Sequence, residues 1–182
     1  KNCQIREYAT IHRASGEGKS TVIGDKCLLM VSSHVAHNCV LDDEVILANL
    51  VTLGGHIKVG FGAFVGGMSV FHQNIRIGKM SIVSVFSAAR QDILPFSKGE
   101  GRPPVPRALN VVALKRRGVA LEDRTNLNKA FKILISPDLN TTQAIEKIKN
   151  EVQANKYIEE LIEFVQTSKR GVTLHSHKKG YQ

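Results

Sequence analysis

The stretch Thr52-Leu53-Gly54-Gly55-His56-Ile57-Lys58-Val59-Gly60-Phe61-Gly62-Ala63-Phe64-Val65-Gly66 follows neither a helical period nor plain alternation. A bulky apolar residue recurs every six positions, at Leu53, Val59 and Val65, and glycine follows each one. Outward from this stretch the same slot holds Ile23, Leu29, Val35, Leu41 and Leu47 on one side and Phe71, Ile77 and Val83 on the other. Four residues after it come Cys27, Ser33, Cys39, Val45, Val51, Ile57, Ala63, Ser69, Ile75, Ser81 and Ser87, all small or β-branched. Ile5 and Ile11 keep the phase, and the polar stretch Ser15–Thr21 interrupts it. A six-residue unit makes physical sense as a short strand plus a corner. Three units then complete one turn of a coil, about 18 residues, with the large slot pointing inward, the small slot beside it and glycine easing the backbone near the corners.

Length and composition agree with such a solenoid. The chain has 182 residues, enough for one domain with an appendage. Its hydrophobic content of 42% argues against disorder, and its 5% aromatic content, with no Trp, implies a core of small aliphatic contacts. No apolar run approaches the roughly 20 residues of a membrane-spanning helix, so no membrane span is expected. The chain opens Lys1-Asn2-Cys3 without Met or signal peptide, which reads as truncation or processing at the N-terminus. Three cysteines cannot form a disulfide framework, and the odd number fits a reducing, cytoplasmic compartment. Cys3, Cys27 and Cys39 all fall in the small inward slot and read as core thiols.

Stacking then gathers polar residues. Residues 18 apart lie in adjacent coils at roughly 4.8 Å, the ordinary strand spacing. His37, His56, His72 and Gln73 therefore share one corner, with Gly55 directly above His37 and His34 on the approach. A corner histidine suits proton transfer, and a glycine N–H suits an oxyanion. A zinc site is the rival reading. The nearest carboxylates, Asp42, Asp43 and Glu44, belong to another face and would not support metal-bound imidazoles, so no metal or other cofactor is expected.

The hexads resemble those of the hexapeptide-repeat acyltransferases. That resemblance implies a mainly β architecture: a left-handed parallel β-helix over residues 1–95, lacking the family's first coils, then a C-terminal α-helical domain over 96–182. More specific motifs follow in order: Ile5-Arg6-Glu7-Tyr8-Ala9-Thr10-Ile11-His12-Arg13, His34-Val35-Ala36-His37-Asn38-Cys39, Ile46-Leu47-Ala48-Asn49, Thr52-Leu53-Gly54-Gly55-His56, Val70-Phe71-His72-Gln73 and Leu114-Lys115-Arg116-Arg117-Gly118. Together they resemble the acyl-[acyl-carrier-protein]–UDP-N-acetylglucosamine O-acyltransferases, which begin lipid A synthesis. The resemblance implies a homotrimer with its sites between subunits. It makes His37 the general base toward the sugar 3-hydroxyl and Gly55 N–H the oxyanion donor. His34, His56, His72 and Gln73 would bind or orient the nucleotide sugar, and Asn110, Arg116 and Arg117 would reach its nucleotide end. Four departures stand out. Asn38 replaces the usual Asp, Val112 a Glu near the uracil, and Ser84-Val85 a Gly-Gly pair at the far end of the acyl groove; an Asp and a Lys of the sugar site belong to coils absent here. Val85 is expected to shorten the accepted acyl chain. An N-acyltransferase on a related UDP-amino sugar and a non-catalytic solenoid scaffold are the alternatives.

Beyond Ile93-Leu94-Pro95 the hexad stops. Residues 99–106 read as a turn-rich linker, and helical patterns follow at about 107–117, 121–135, 141–152 and 155–168. Asn140 with Gln143 reads as a capping box and Asn155 as a cap. The tail His175-Ser176-His177-Lys178-Lys179 reads as disordered. Charge is concentrated in this part. Residues 1–95 carry nine Lys/Arg against seven Asp/Glu, residues 96–182 carry 16 against nine, and the whole chain is +9. A basic face calls for an acidic partner, which the resemblance supplies as acyl carrier protein. No aromatic platform or groove-reading motif supports nucleic acid, so none is expected.

Overall fold

A computed structural model describes residues 1–175; the expectation for the tail, His175 apart, concerns residues outside the described ones. Fourteen two-residue strands build the solenoid. In chain order they are β1 (Gln4–Ile5), β2 (Thr10–Ile11), β3 (Val22–Ile23), β4 (Leu28–Leu29), β5 (His34–Val35), β6 (Val40–Leu41), β7 (Ile46–Leu47), β8 (Thr52–Leu53), β9 (Lys58–Val59), β10 (Phe64–Val65), β11 (Val70–Phe71), β12 (Arg76–Ile77), β13 (Ile82–Val83) and β14 (Ala88–Ala89). Two longer strands, β15 (Ser97–Glu100) and β16 (Val105–Leu109), precede the helices α1 (Val111–Arg116), α2 (Leu121–Leu134), α3 (Thr141–Glu151) and α4 (Lys156–Gln166).

Every third strand pairs in parallel, giving three sheets: β1-β4-β7-β10-β13-β15-β16, β2-β5-β8-β11-β14 and β3-β6-β9-β12. The register is the expected 18 residues, Leu28 opposite Ile46 and Phe64 opposite Ile82. The first coil differs. Gln4 pairs with Leu28 and Thr10 with His34, an offset of 24 residues, because the chain loops out between Ile11 and Val22. That insertion is one hexad long, so the sequence keeps its phase while every residue before it moves by one whole face.

Corners are made by one residue per hexad in the left-handed region. Lys26, Ser32, Asn38, Glu44, Leu50, His56, Gly62, Met68, Asn74, Met80 and Phe86 have φ between 51° and 63°, and only one of them is glycine. The glycines after the bulky slot answer a different need. A Cβ at Gly54 would lie 2.8 Å from Gln73 N, and one at Gly60 2.6 Å from Lys79 N. They permit close approach of successive coils rather than unusual dihedrals, which corrects the expectation from sequence.

Both inward slots are buried from Cys27 onward, while Ile5 and Ile11, covered on one side only, remain exposed. Thiols and hydroxyls of the small slot turn to the next coil. Cys3 Sγ donates to Gly24 O at 3.0 Å, Cys27 Sγ to Asp42 O at 3.2 Å, Cys39 Sγ to Gly54 O at 3.1 Å, and Ser69 Oγ to Ser84 O at 3.2 Å. Among the described residues Ser33 Oγ and Ser81 Oγ have no partner.

The turn-rich stretch over 99–106 is part of an antiparallel hairpin, β15–β16, that extends the seven-stranded sheet. Strand β16 takes residues expected in the first helix, which begins only at Val111. Helices α2 to α4 lie where expected. Asn140 forms the capping box with Gln143, and Asn155 accepts from Tyr157 N and Ile158 N. Their apolar faces bury Leu127, Phe131, Ile148, Leu161 and Val165 against Leu94 and Phe96 at the end of the solenoid. The chain then returns to the last coil at Asp92. This buried carboxylate accepts from Arg76 N at 2.7 Å, Arg76 Nε at 2.8 Å and Ser168 Oγ at 2.8 Å. Its own backbone receives Thr173 N and donates to Gly171 O.

A buried hydroxyl without a partner carries a desolvation cost that a methyl group does not. Ser33→Ala is therefore expected to stabilise the fold by about 1 kcal/mol, measured by urea denaturation.

Candidate active site

The polar corner lies where the chain passes from the five-stranded sheet to the four-stranded one. His37 follows β5, Gly55 and His56 follow β8, and His72 and Gln73 follow β11. His56 N donates to His37 O at 3.0 Å, and Asn74 N to Gly55 O at 3.0 Å, so three coils are tied in column. The His37 and His56 rings meet edge to face at 5.1 Å. A Cβ at position 55 would strike His37 Cε1 and Nε2 at 2.7 Å, so only glycine lets the imidazole lie against that backbone. Among the described residues nothing accepts from Gly55 N–H. Most backbone N–H groups at this corner position share that property, so it belongs to the coil rather than to Gly55 alone.

On its other side His37 Nδ1 lies 2.8 Å from Asn38 Oδ1. Asn38 in turn holds the insertion. Ser15 N donates to Asn38 Oδ1 at 3.0 Å, Asn38 Nδ2 donates to Ser15 O at 3.2 Å, and Asn38 N donates to Thr21 Oγ1 at 2.9 Å. His34 projects from β5 and meets Thr10 Oγ1 at 2.8 Å and the His12 ring at 4.6 Å. Burial chiefly, and His12 secondarily, hold its imidazole below the ordinary range and favour the neutral form. His72 Nδ1 lies 3.2 Å from Arg170 Nη2. From His72 an open groove of about 650 Å³ runs over the five-stranded sheet, lined by Thr52, Val70, Ala88, Arg90, Gln91 and Arg102. Val85 stands at the opposite edge of that sheet, 58% exposed, after β13.

Two arginines lie elsewhere. Arg117 pairs with Glu44 and stacks over the Phe61 ring at 4.6 Å, at the corner between the four- and seven-stranded sheets. Arg116 precedes it at the end of α1 and is exposed. Asn110 is buried and fully engaged, its Oδ1 accepting from Ala113 N and its Nδ2 donating to Met80 O. One chain thus brings His34, His37, Gly55, His56, His72 and Gln73 together and keeps Asn110, Arg116 and Arg117 on a different edge. Among the described residues no three His, Cys, Asp or Glu side chains converge to hold a metal ion. No helix among them is long and apolar enough to cross a membrane.

Sequence reasoning missed His12, Arg170 and Gln91. An 18-residue turn puts His12 on the wrong face, and only the insertion brings it under His34. Arg170 arrives from the far end of α4, which no periodicity signals. Gln91 sits 18 residues beyond Gln73, and its place in the column was open to the same arithmetic.

Six-residue units wound into a parallel solenoid, with a histidine-lined corner and a helical cap, place the chain in the class of hexapeptide-repeat β-solenoid proteins. Residues 92–173 match the profile described as Udp N-acetylglucosamine O-acyltransferase, domain 2. A relative from Thermodesulfovibrio yellowstonii, an acyl-[acyl-carrier-protein]–UDP-N-acetylglucosamine O-acyltransferase, is 44% identical over 94% of this chain and 67% of its own length. A Gloeothece citriformis protein of the same name is 41% identical over 91% of this chain and 59% of its own. The solved UDP-N-acetylglucosamine acyltransferase from Campylobacter jejuni superposes with a TM-score of 0.87 at 33% identity, covering 96% of this chain and 69% of that one. The chain belongs to the UDP-N-acetylglucosamine O-acyltransferase family. It spans about three-fifths of the length of the Gloeothece citriformis relative and two-thirds of that of the Thermodesulfovibrio yellowstonii one.

The neutral preference of His34 has a consequence for stability. The unfolded chain takes up this proton at the ordinary value, near pH 6.5, before the folded chain does. Its contribution is therefore present above that pH and lost as the pH falls through and below it. Thermal unfolding is expected to show a declining midpoint as the pH drops from about 7 to about 5.5, with a shallower decline in His34→Gln.

Proposed function

We propose that the protein of which this chain forms part transfers an (R)-3-hydroxyacyl group from acyl carrier protein to the 3-hydroxyl of UDP-N-acetylglucosamine, the opening step of lipid A synthesis. The observation that carries the reading is His37 packed against Gly55 at an open corner. On this reading His37 Nε2 removes the proton as the sugar oxygen attacks the thioester carbonyl. The carbonyl oxygen becomes an oxyanion, for which Gly55 N–H is a free donor. Collapse breaks the C–S bond, and the proton held by His37 passes to the departing thiolate. His34, His56, His72 and Gln73 surround this point and suit the hydroxyls and phosphates of a nucleotide sugar.

The two edges of the prism favour assembly as a homotrimer. A ligand at the His37 corner cannot reach Arg116 and Arg117 of the same chain, but copies packed edge to edge can bring one corner to the other. Arginine forks fit the diphosphate that would bridge them. Asn110 then acts through its side-chain amide as the cap of α1, holding that helix in place rather than reaching the nucleotide itself. An acidic carrier protein suits the basic C-terminal part. A cytoplasmic setting belongs to the same proposal, and three unpaired inward cysteines accord with it.

Acyl transfer by the full-length enzyme tests the assignment. His37→Ala is expected to lower kcat by about 10²–10⁴-fold, the usual worth of a general base; near-native turnover in that variant removes His37 from the role. The groove over the five-stranded sheet runs from the His72 side, and Val85 stands at the far edge of that sheet, where a side chain limits length. Val85→Gly is expected to move the preferred acyl donor toward longer chains, each added methylene shifting discrimination about tenfold or more. Competition between donors of graded length reads this directly.

A further inference from the structure

The insertion between β2 and β3 reads from sequence as an interruption, yet its backbone is bonded to the residue beside His37. Ser15 N donates to Asn38 Oδ1, and Asn38 Nδ2 donates back to Ser15 O. This reciprocal pair settles which end of the amide is oxygen, since the reverse orientation would set donor against donor and acceptor against acceptor. The atom facing His37 Nδ1 at 2.8 Å is therefore a carbonyl oxygen, which only accepts. A neutral imidazole makes this contact only if Nδ1 carries the proton. The lone pair then falls on Nε2, the ring atom against Gly55. Asn38 is secured further by Thr21 Oγ1 and by a left-handed backbone, φ 61°, that Asn tolerates well.

We propose that Asn38, clamped by the Ser15 backbone, is a positioning residue that locks neutral His37 in its Nδ1–H tautomer and leaves Nε2 free at the open corner. The proposal rests on the reading of His37 as the base, but it concerns the state of the ring before any substrate binds. It gives the insertion a task and explains how a neutral amide can serve where a carboxylate is usual. The amide orients the ring without adding charge.

Histidine-selective ¹⁵N labelling of the chain and long-range ¹H–¹⁵N correlation at about pH 8, where imidazoles are neutral, read the tautomer directly. The native chain is expected to show His37 protonated at Nδ1. Asn38→Gly keeps the left-handed corner without strain and is expected to shift the proton toward Nε2, whereas Asn38→Asp keeps it on Nδ1. In the full-length enzyme Asn38→Gly is expected to lower kcat about 10–100-fold with KM little changed. Asn38→Asp is expected to restore activity, with the acidic limb of the pH profile moved to higher pH because a carboxylate favours imidazolium. An Nε2–H tautomer in the native chain overturns the proposal, and so does an unchanged tautomer in folded Asn38→Gly. If that variant does not fold, the native spectrum decides alone. An Nδ1–H spectrum together with full activity in His37→Ala would remove the base assignment and leave the lock standing.

Discussion

Coil-to-coil backbone hydrogen bonding at a fixed register is the constraint from which the rest follows. Each of the strands β1 to β14 is only two residues long, so none is stable by itself, and order comes from stacking on neighbouring coils. Bonds such as Leu28 N to Val45 O and Thr52 N to Ser69 O, each 2.9 Å, hold successive turns so close that at some positions after the bulky slot a Cβ would press on the next coil. Gly54 and Gly60 answer that pressure. The same spacing turns sequence neighbours 18 apart into physical neighbours, and a column of side chains becomes a surface with one chemical character. The histidine corner is made of three such columns side by side, one each for His72, His37 and His56.

That regularity explains why the solenoid was legible and where legibility ended. Leu53, Val59 and Val65 announce the hexad because inward-facing positions tolerate little besides aliphatic groups. The grouping of His37, Gly55, His56, His72 and Gln73 then follows from arithmetic. Arithmetic fails at the insertion, because a loop of one hexad leaves the phase of Ile5 and Ile11 intact while moving His12 and Thr10 by a face. Glycine was misread for a related reason. Its usual association with left-handed corners is valid, yet here Leu50, Met68 and Phe86 occupy those corners, their strain of about 1 kcal/mol each offset by the ladder that over-determines them.

The C-terminal part was legible helix by helix but not at its junction. Asn140 and Asn155 mark helix starts through local chemistry that needs no tertiary information. The hairpin β15–β16 does, because β15 forms by pairing on β13 and β16 by pairing on β15, and not by any pattern of their own. Contacts such as Arg170 with His72 and Arg117 with Glu44 span 98 and 73 residues, and nothing local encodes them. They also separate two kinds of cation. Arg170 reaches the histidine corner of its own chain, while Arg117 lies on another edge, beside Glu44 and Phe61.

The buried Asp92 carboxylate carries one more implication, for how such a protein can change its length. Repeat proteins ordinarily grow or shrink by whole turns, since each turn needs only its neighbours. A turn added before Arg76 would carry the arginine, the carboxylate and the returning Ser168–Thr173 segment along as a unit. A turn added between Arg76 and Asp92 would part the pair and leave a buried charge unpaired, which ordinarily costs several kcal/mol. The clasp thus makes this end of the stack a fixed terminus against which the helices are fitted, and confines variation in coil number to the turns that precede it.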